Sequence, residues 1–398
     1  YRDPSKQSSL FYANNTGVVD SYSGNLVWKV KNNTCPTGSL CGQDPKLANM
    51  TLASFDATPL AGSPVIDKAP TISAVTTDFL LQKRPAGPAN DIGAYEVQSA
   101  SAPVVTGKHV ELDFNGDGKS DVLWRHARVG ANTIWKSGSS GTPQPMAAVT
   151  DLGWQIVGVG DFNGDGKSDV LWRHARVGAN TIWKSGSSGT PQPMAAVTDL
   201  GWQIVGVGDF NGDGKSDVLW RHARVGANTI WKSGSSGTPQ PMAAVTDLGW
   251  QIVGVGDFNG DGKSDVLWRH ARTGINTIWK SANRSTQQAM TSVTNLDWKI
   301  VGAGDFNGDG KSDVLWRNTR TGANTIWKSA NRSTQQAMAS VTNLDWKIVG
   351  TGDFNGDGKS DVLWRNTRTG ANVIWKSANR STPQTMTGVT DLAWTVEP

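Results

Sequence analysis

The sequence predicts an all-β fold, a β-propeller of about six four-stranded blades, and three observations predict it. The nonapeptide Asp-Phe-Asn-Gly-Asp-Gly-Lys-Ser-Asp occurs six times, 48 residues apart, beginning at Asp113, Asp161, Asp209, Asp257, Asp305 and Asp353. A fixed period in this range marks a repeat architecture. Each repeat holds four short, β-branched, glycine-punctuated segments with poor helix signals. The tail Ala393-Trp394-Thr395-Val396-Glu397 then resembles one surplus innermost strand.

The second repeat justifies the elements in order. Residues 155–160, Gln-Ile-Val-Gly-Val-Gly, read as a buried strand whose small residues suit the crowded position beside a central channel. The loop 161–169 follows. Residues 170–173 and 180–184 read as two further strands with a turn around Val177-Gly178, and after a loop at 186–191 residues 192–197 make a weaker fourth. Trp172, Trp183 and Trp202 are expected to fill the wedge between neighbouring blades. Residues 109–112 supply a divergent first strand to the first repeat, so six blades is the simplest count. A seventh would require residues 99–112 or earlier segments to pair with the tail.

Each loop presents hard oxygen donors at positions 1, 3, 5 and 9 and a backbone carbonyl at 7, with a glycine at 6 that permits tight turning. Position 1 is Asp113, Asp161, Asp209, Asp257, Asp305 or Asp353, and position 3 is Asn115, Asn163, Asn211, Asn259, Asn307 or Asn355. Position 5 is Asp117, Asp165, Asp213, Asp261, Asp309 or Asp357. Lys119, Lys167, Lys215, Lys263, Lys311 or Lys359 occupies position 7, and Asp121, Asp169, Asp217, Asp265, Asp313 or Asp361 position 9. About six Ca²⁺ ions are the expected cofactors. An EF-hand requires a bidentate Glu at position 12, where this chain has Trp in every copy. A dockerin module fails on the same position and on the strand-like run that follows. Magnesium retains more waters than such a cage allows, and a metal-free cluster of turns would leave three carboxylates repelling each other.

The run Asp-Phe-Asn-Gly-Asp-Gly-Lys-Ser-Asp-Val-Leu-Trp-Arg, preceded by Trp-Gln-Ile-Val-Gly-Val-Gly, resembles the FG-GAP/VCBS-like repeat family across residues 104–398. That family includes integrin α-subunit propellers and lectin-like propellers. The resemblance implies a β-propeller with calcium in the loop between the first two strands of each blade, and no single activity. The first hundred residues share no period with the rest. Asp44-Pro45-Lys46-Leu47, residues 60–67 and Arg84-Pro85 followed by residues 91–96 resemble the closing segment of secreted parallel β-helix proteins of the pectate-lyase-like group. The expected organisation is a β-helix-like terminal segment at 1–98, a linker at 99–105 and the propeller at 106–398.

Cys35 and Cys41, six apart in a Gly/Pro loop, suit a small disulfide in an oxidising compartment, with two free thiols as the alternative. Millimolar extracellular calcium points to the same place, secreted or at a cell surface. Tyr1 in place of Met reads as a processed or truncated product, and no run of about 18 apolar residues is present to span a membrane. The formal charge is +4, but the loops hold 18 of the 34 acidic residues, so six bound Ca²⁺ would bring it near +16. A basic, metal-loaded surface favours anionic or polysaccharide partners, and without basic runs nucleic acid is not expected.

The five histidines are His109, His126, His174, His222 and His270; four stand in Trp-Arg-His-Ala-Arg, and Asn318 and Asn366 replace them in the last two repeats. This exchange predicts a surface-facing position without a catalytic role, and the chain reads as non-enzymatic. The expected function is adhesion to glycans or cell-surface proteins, with Trp124, Arg125 and Arg128 as candidate ligand contacts. The alternatives are a self-associating subunit of a filament or surface layer, and the targeting module of a polysaccharide-degrading β-helix enzyme.

Overall fold

The computed structural model describes residues 111–397, except 142 and 238, and before them only 26–27, 40–41, 44, 46–49, 56–59, 63–66, 68 and 89. The chain divides into two units, Tyr1–Thr106 and Gly107–Pro398. In the first, β1 (Leu26–Val27) pairs in parallel with β2 (Leu40–Cys41), and β3 (Leu47–Asn49) pairs antiparallel with β4 (Asp56–Pro59). The β-helix-like segment expected over 1–98 falls largely on residues outside these pieces, and Cys35 of the expected disulfide also lies outside the described ones.

The second unit is a six-bladed β-propeller of four-stranded antiparallel sheets. Blade 2 shows the pattern: β8 (Trp154–Gly160), β9 (Asp169–His174), β10 (Asn180–Trp183) and β11 (Pro191–Met194) lie in that order from the inside out. Blades 3 to 6 repeat it, beginning at β12 (Trp202–Gly208), β16 (Trp250–Gly256), β20 (Trp298–Gly304) and β24 (Trp346–Gly352). The outermost strands are four residues long, and those of blades 1 to 3 read Pro-Gln-Pro-Met. Short, proline-bearing edges discourage pairing with other chains.

The second strand is buried at all six positions because blades pack on both its faces. Its period of 2 therefore sorts residues between two neighbours. At the boundary of blades 1 and 2, Phe114, Leu123, Ile134 and Met146 of the first meet Ile156, Val170 and Trp172 of the second. The core consists of six such inter-blade clusters, which is where the tryptophans were expected. The inner strands of blades 2 to 6 carry a register shift, as between Ile156 and Gly158, that the alternation pattern did not reveal.

Ring closure resolves the blade count. Blade 1 comprises β5 (Val122–His126), β6 (Asn132–Trp135) and β7 (Pro143–Met146), and its innermost strand is the tail, β28 (Trp394–Val396). The Glu397 N–H donates to the Leu123 carbonyl at 2.9 Å, and the Leu112 carbonyl accepts from Asp121 N–H at 2.8 Å. Leu112 thus stands where blade 2 has Gly160, which pairs with Asp169. One inner strand is spliced from both ends of the repeat array, so the tail completes the first blade and starts no seventh.

Candidate functional site

Antiparallel order puts the nine-residue loops, between first and second strands, on one face of the ring. In the second loop the Asp161 carboxylate accepts three backbone N–H groups, from Gly164 at 2.6 Å, Asp165 at 3.2 Å and Gly166 at 2.8 Å. Gly164 and Gly166 have φ of 80° and 81°, left-handed values that favour glycine. Asn163 accepts from Asp165 N–H at 2.8 Å and donates to its Oδ2 at 3.1 Å, while Asp165 Oδ1 accepts from Lys167 N–H at 2.9 Å.

Position 9 is held differently. Asp169 Oδ2 accepts from Phe162 N–H at 3.0 Å and Oδ1 from Ser185 N–H at 2.9 Å, so this carboxylate ties the loop to the turn after the third strand. It is fully buried. Burial pushes its pKa up to about 6 against those two hydrogen bonds, and the charges of Asp161 and Asp165 add to the rise. Its counterparts Asp121, Asp217, Asp265, Asp313 and Asp361 are raised to about 6 in the same way.

Among the described residues no three His, Cys, Asp or Glu side chains converge on a finished metal cage. The donor set nevertheless fits a hard cation. A carboxylate offers about four lone-pair sites, and backbone N–H groups take three on Asp161 and two on Asp169. Oxygen donors therefore remain free on the ligands assigned from the sequence.

The structure does not assemble Trp124, Arg125 and Arg128 into an open ligand site. Trp124 is 1 % exposed and Arg125 6 % exposed. The Arg125 guanidinium donates to Asn132 Oδ1 at 2.9 Å and to the carbonyls of Val149 and Trp154 at 3.2 and 3.0 Å, and lies 4.8 Å from the centroid of the Trp172 ring. Both side chains are spent on joining blades. Arg128 alone is exposed, on the face opposite the loops.

The His/Asn position is likewise internal, against the sequence expectation. His174 is 7 % exposed; its Nδ1 accepts from Arg176 N–H at 3.2 Å, which leaves Nε2 to donate to Asp151 Oδ2 at 3.1 Å. Asn318 performs the acceptor half of this task, taking the N–H groups of Arg320 and Thr321 at 3.0 and 2.9 Å. The exchange is tolerated because a turn acceptor is conserved in position, without any exposure to solvent.

Two surface features escaped sequence reasoning. A cavity of about 330 Å³ beside blade 6 is lined by Ser340, Asn343, Trp346, Trp364, Trp375 and Arg380, among others. Trp364 is the blade 6 counterpart of Trp124, and its buried Nε1 has no hydrogen-bond partner. Arg380 sits 6.0 Å from the centroid of Trp375; Arg284 and Arg332 lie 5.9 Å from Trp279 and Trp327. Blades 1 to 3 carry Ser140, Ser188 and Ser236 there, and that difference between repeats was the available signal. Second, Val129, Leu152, Val177, Leu200, Val225, Leu248, Ile275 and Leu392 are the exposed large apolar side chains among the described residues. All stand on turns or connections of the face opposite the loops.

No curated protein matches the chain. Among solved structures it is similar to an Agrocybe aegerita lectin described as recognising non-reducing terminal N-acetylglucosamine, at 15% identity over 72% of this chain and 81% of that one, with a TM-score of 0.48. A nidogen/laminin complex matches at 11% identity over 67% and 92%, with a TM-score of 0.43. Virginiamycin B lyase from Staphylococcus aureus matches at 9% over 69% and 83%, with a TM-score of 0.42. At such scores none of their ligands or activities carries over. The FG-GAP-like repeat model matches residues 113–172, 161–220, 209–268, 257–316 and 305–364, each window running from one loop to the second-strand tryptophan of the next blade. With these windows covering well over half of its length, the chain belongs to the FG-GAP-like repeat family.

Proposed function

We propose that this protein is a calcium-stabilised, non-catalytic propeller that binds carbohydrate outside the cell. The observation that carries the reading is the cavity beside blade 6. The half-buried Trp346 there offers an apolar face to a sugar ring, while Arg380, Asn343 and Ser340 offer hydrogen bonds to hydroxyls. Repetition of the exposed arginine, as Arg284, Arg332 and Arg380 in blades 4 to 6, supports several weak sites acting together. A glycan array probed with the full chain in calcium tests this. Binding that R380A abolishes while the fold is retained supports it, and an array without hits overturns it.

In this reading calcium is held by positions 1, 3, 5, 7 and 9 of each loop, from Asp113, Asn115, Asp117, Lys119 and Asp121 to their counterparts in blade 6. When bound it supplies the positive charge that the crowded carboxylates lack, and binding to the native state adds to folding stability. A single observation favours the alternative of a self-assembling subunit: the ring collects its exposed apolar side chains on one face. Electron microscopy and light scattering of the purified chain in calcium separate an assembly from a monomeric lectin.

A further inference from the structure

The loops are joined to one another. In every blade the N–H of the position 8 serine donates, at 2.7 Å, to the carbonyl of the position 1 aspartate of the preceding blade's loop. Ser168 bonds to Asp113, Ser216 to Asp161 and Ser264 to Asp209, and Ser120 closes the circle on Asp353. Each such serine stands between positions 7 and 9 of its own loop. A second contact runs in parallel, since the Lys263 Cε lies 2.9 Å from where a Cβ on Gly212 would stand, and the other boundaries repeat this. A third packs Ser264 against Gly208, the residue just before the third loop.

We propose that the six loops bind cations as one coupled ring, with the position 8 serines as the positioning residues that transmit occupancy from each loop to the next. The inference rests on the calcium reading above. A cation gripping Asp209 fixes that residue's peptide, and the fixed carbonyl holds Ser264 and with it the donors of Lys263 and Asp265. The neighbour then has less disorder to lose on binding its own ion, which is positive cooperativity without a change of fold. Hydrogen bonds in series strengthen each other in the same direction. Because the circle has no ends, every loop has two coupled neighbours.

Calorimetric titration of the metal-free full chain with Ca²⁺ tests the proposal. About six equivalents with a Hill coefficient above 1 are expected. D213N, which removes one carboxylate of the third loop, is expected to weaken the adjacent loops about fivefold or more. G208A, whose Cβ would meet Ser264 Oγ at 2.5 Å, disturbs one junction with all donors in place. It should keep the stoichiometry and lower the Hill coefficient; K263A, a milder change at that junction, should act in the same direction. Six independent sites, or a D213N that loses one equivalent and leaves the others untouched, overturn the coupling and leave the calcium reading standing. No binding by the unaltered chain overturns both.

Discussion

Arg173 shows how single polar side chains hold the ring. It donates to the Gly178 carbonyl and Asn180 Oδ1, reaches the carbonyls of Val197 and Trp202, and covers the Trp220 ring at 4.9 Å. Its equivalents repeat this at every boundary, ending with Arg365 over Trp124. R173A should cost about 3 kcal/mol in denaturant unfolding, because buried carbonyls lose their donors, and R173K should recover little, because an ammonium cannot fork among four acceptors. Gly158 and Gly254 form a matched pair. A Cβ at Gly158 would meet Val207 Cγ2 at 2.5 Å, whereas at Gly254 it meets only Leu267 atoms at 3.6 Å or more, because blade 5 has Ala303 at the facing position. G158A is therefore expected to destabilise by about 2 kcal/mol, with G254A close to neutral, in parallel melts. Backbone donation from Gly153, then His174, holds the Asp151 carboxyl below its ordinary 3.8, and Asp199, Asp247 and Asp391 behave alike. A carboxyl depressed on folding stabilises above 3.8 and loses that contribution as pH falls through its folded value. Replacing all four by Asn should flatten the acid limb of a melting-temperature profile below that pH and leave the neutral limb unchanged in slope.

Among the elements, the inner strand of blade 1 is the exception. β28 has three residues where the other inner strands have seven, and Glu397 takes the place of Val157. Burial raises the Glu397 pKa, against a hydrogen bond from Thr395 and the nearby charge of Arg125. Deleting residues 394–398 would bare one face of Trp124 and the backbone of β5. A loss of about 3 kcal/mol or more is expected, together with concentration-dependent association through the opened edge; denaturation and light scattering on the truncated chain measure both.

At the scale of the whole molecule the ring has no terminal blade. Each of its six boundaries repeats one cluster, one Arg–Trp stack and one loop-to-loop hydrogen bond, and the last closes through the chain ends. Nearest-neighbour stability of this kind is lost at the free ends of an open solenoid. Unfolding should accordingly be one cooperative transition, with calcium raising its midpoint and excess chelator lowering it, as a calorimetric scan would show. Six second-strand indoles stand 4.9 to 5.1 Å from third-strand indoles. Near-ultraviolet circular dichroism from these pairs should vanish in that same transition.

The sequence by itself determined the repeat, the four strands of each blade, the inter-blade place of the tryptophans and the position of the nine-residue loops. All of these are local: a period of 48, an alternation of 2 and a nine-residue spacing carry them. Tertiary structure alone decided that the tail belongs to blade 1, because strand pairing between residues some 270 apart leaves no local mark. It also took Trp124 and Arg125 out of the ligand surface, and His126, His174, His222 and His270 out of solvent. A wedge-shaped blade is covered on both faces by its neighbours, so residues that read as polar and available are buried and hydrogen-bonded there. The cavity and the joined loops arise between blades, from surfaces that meet only when the ring closes.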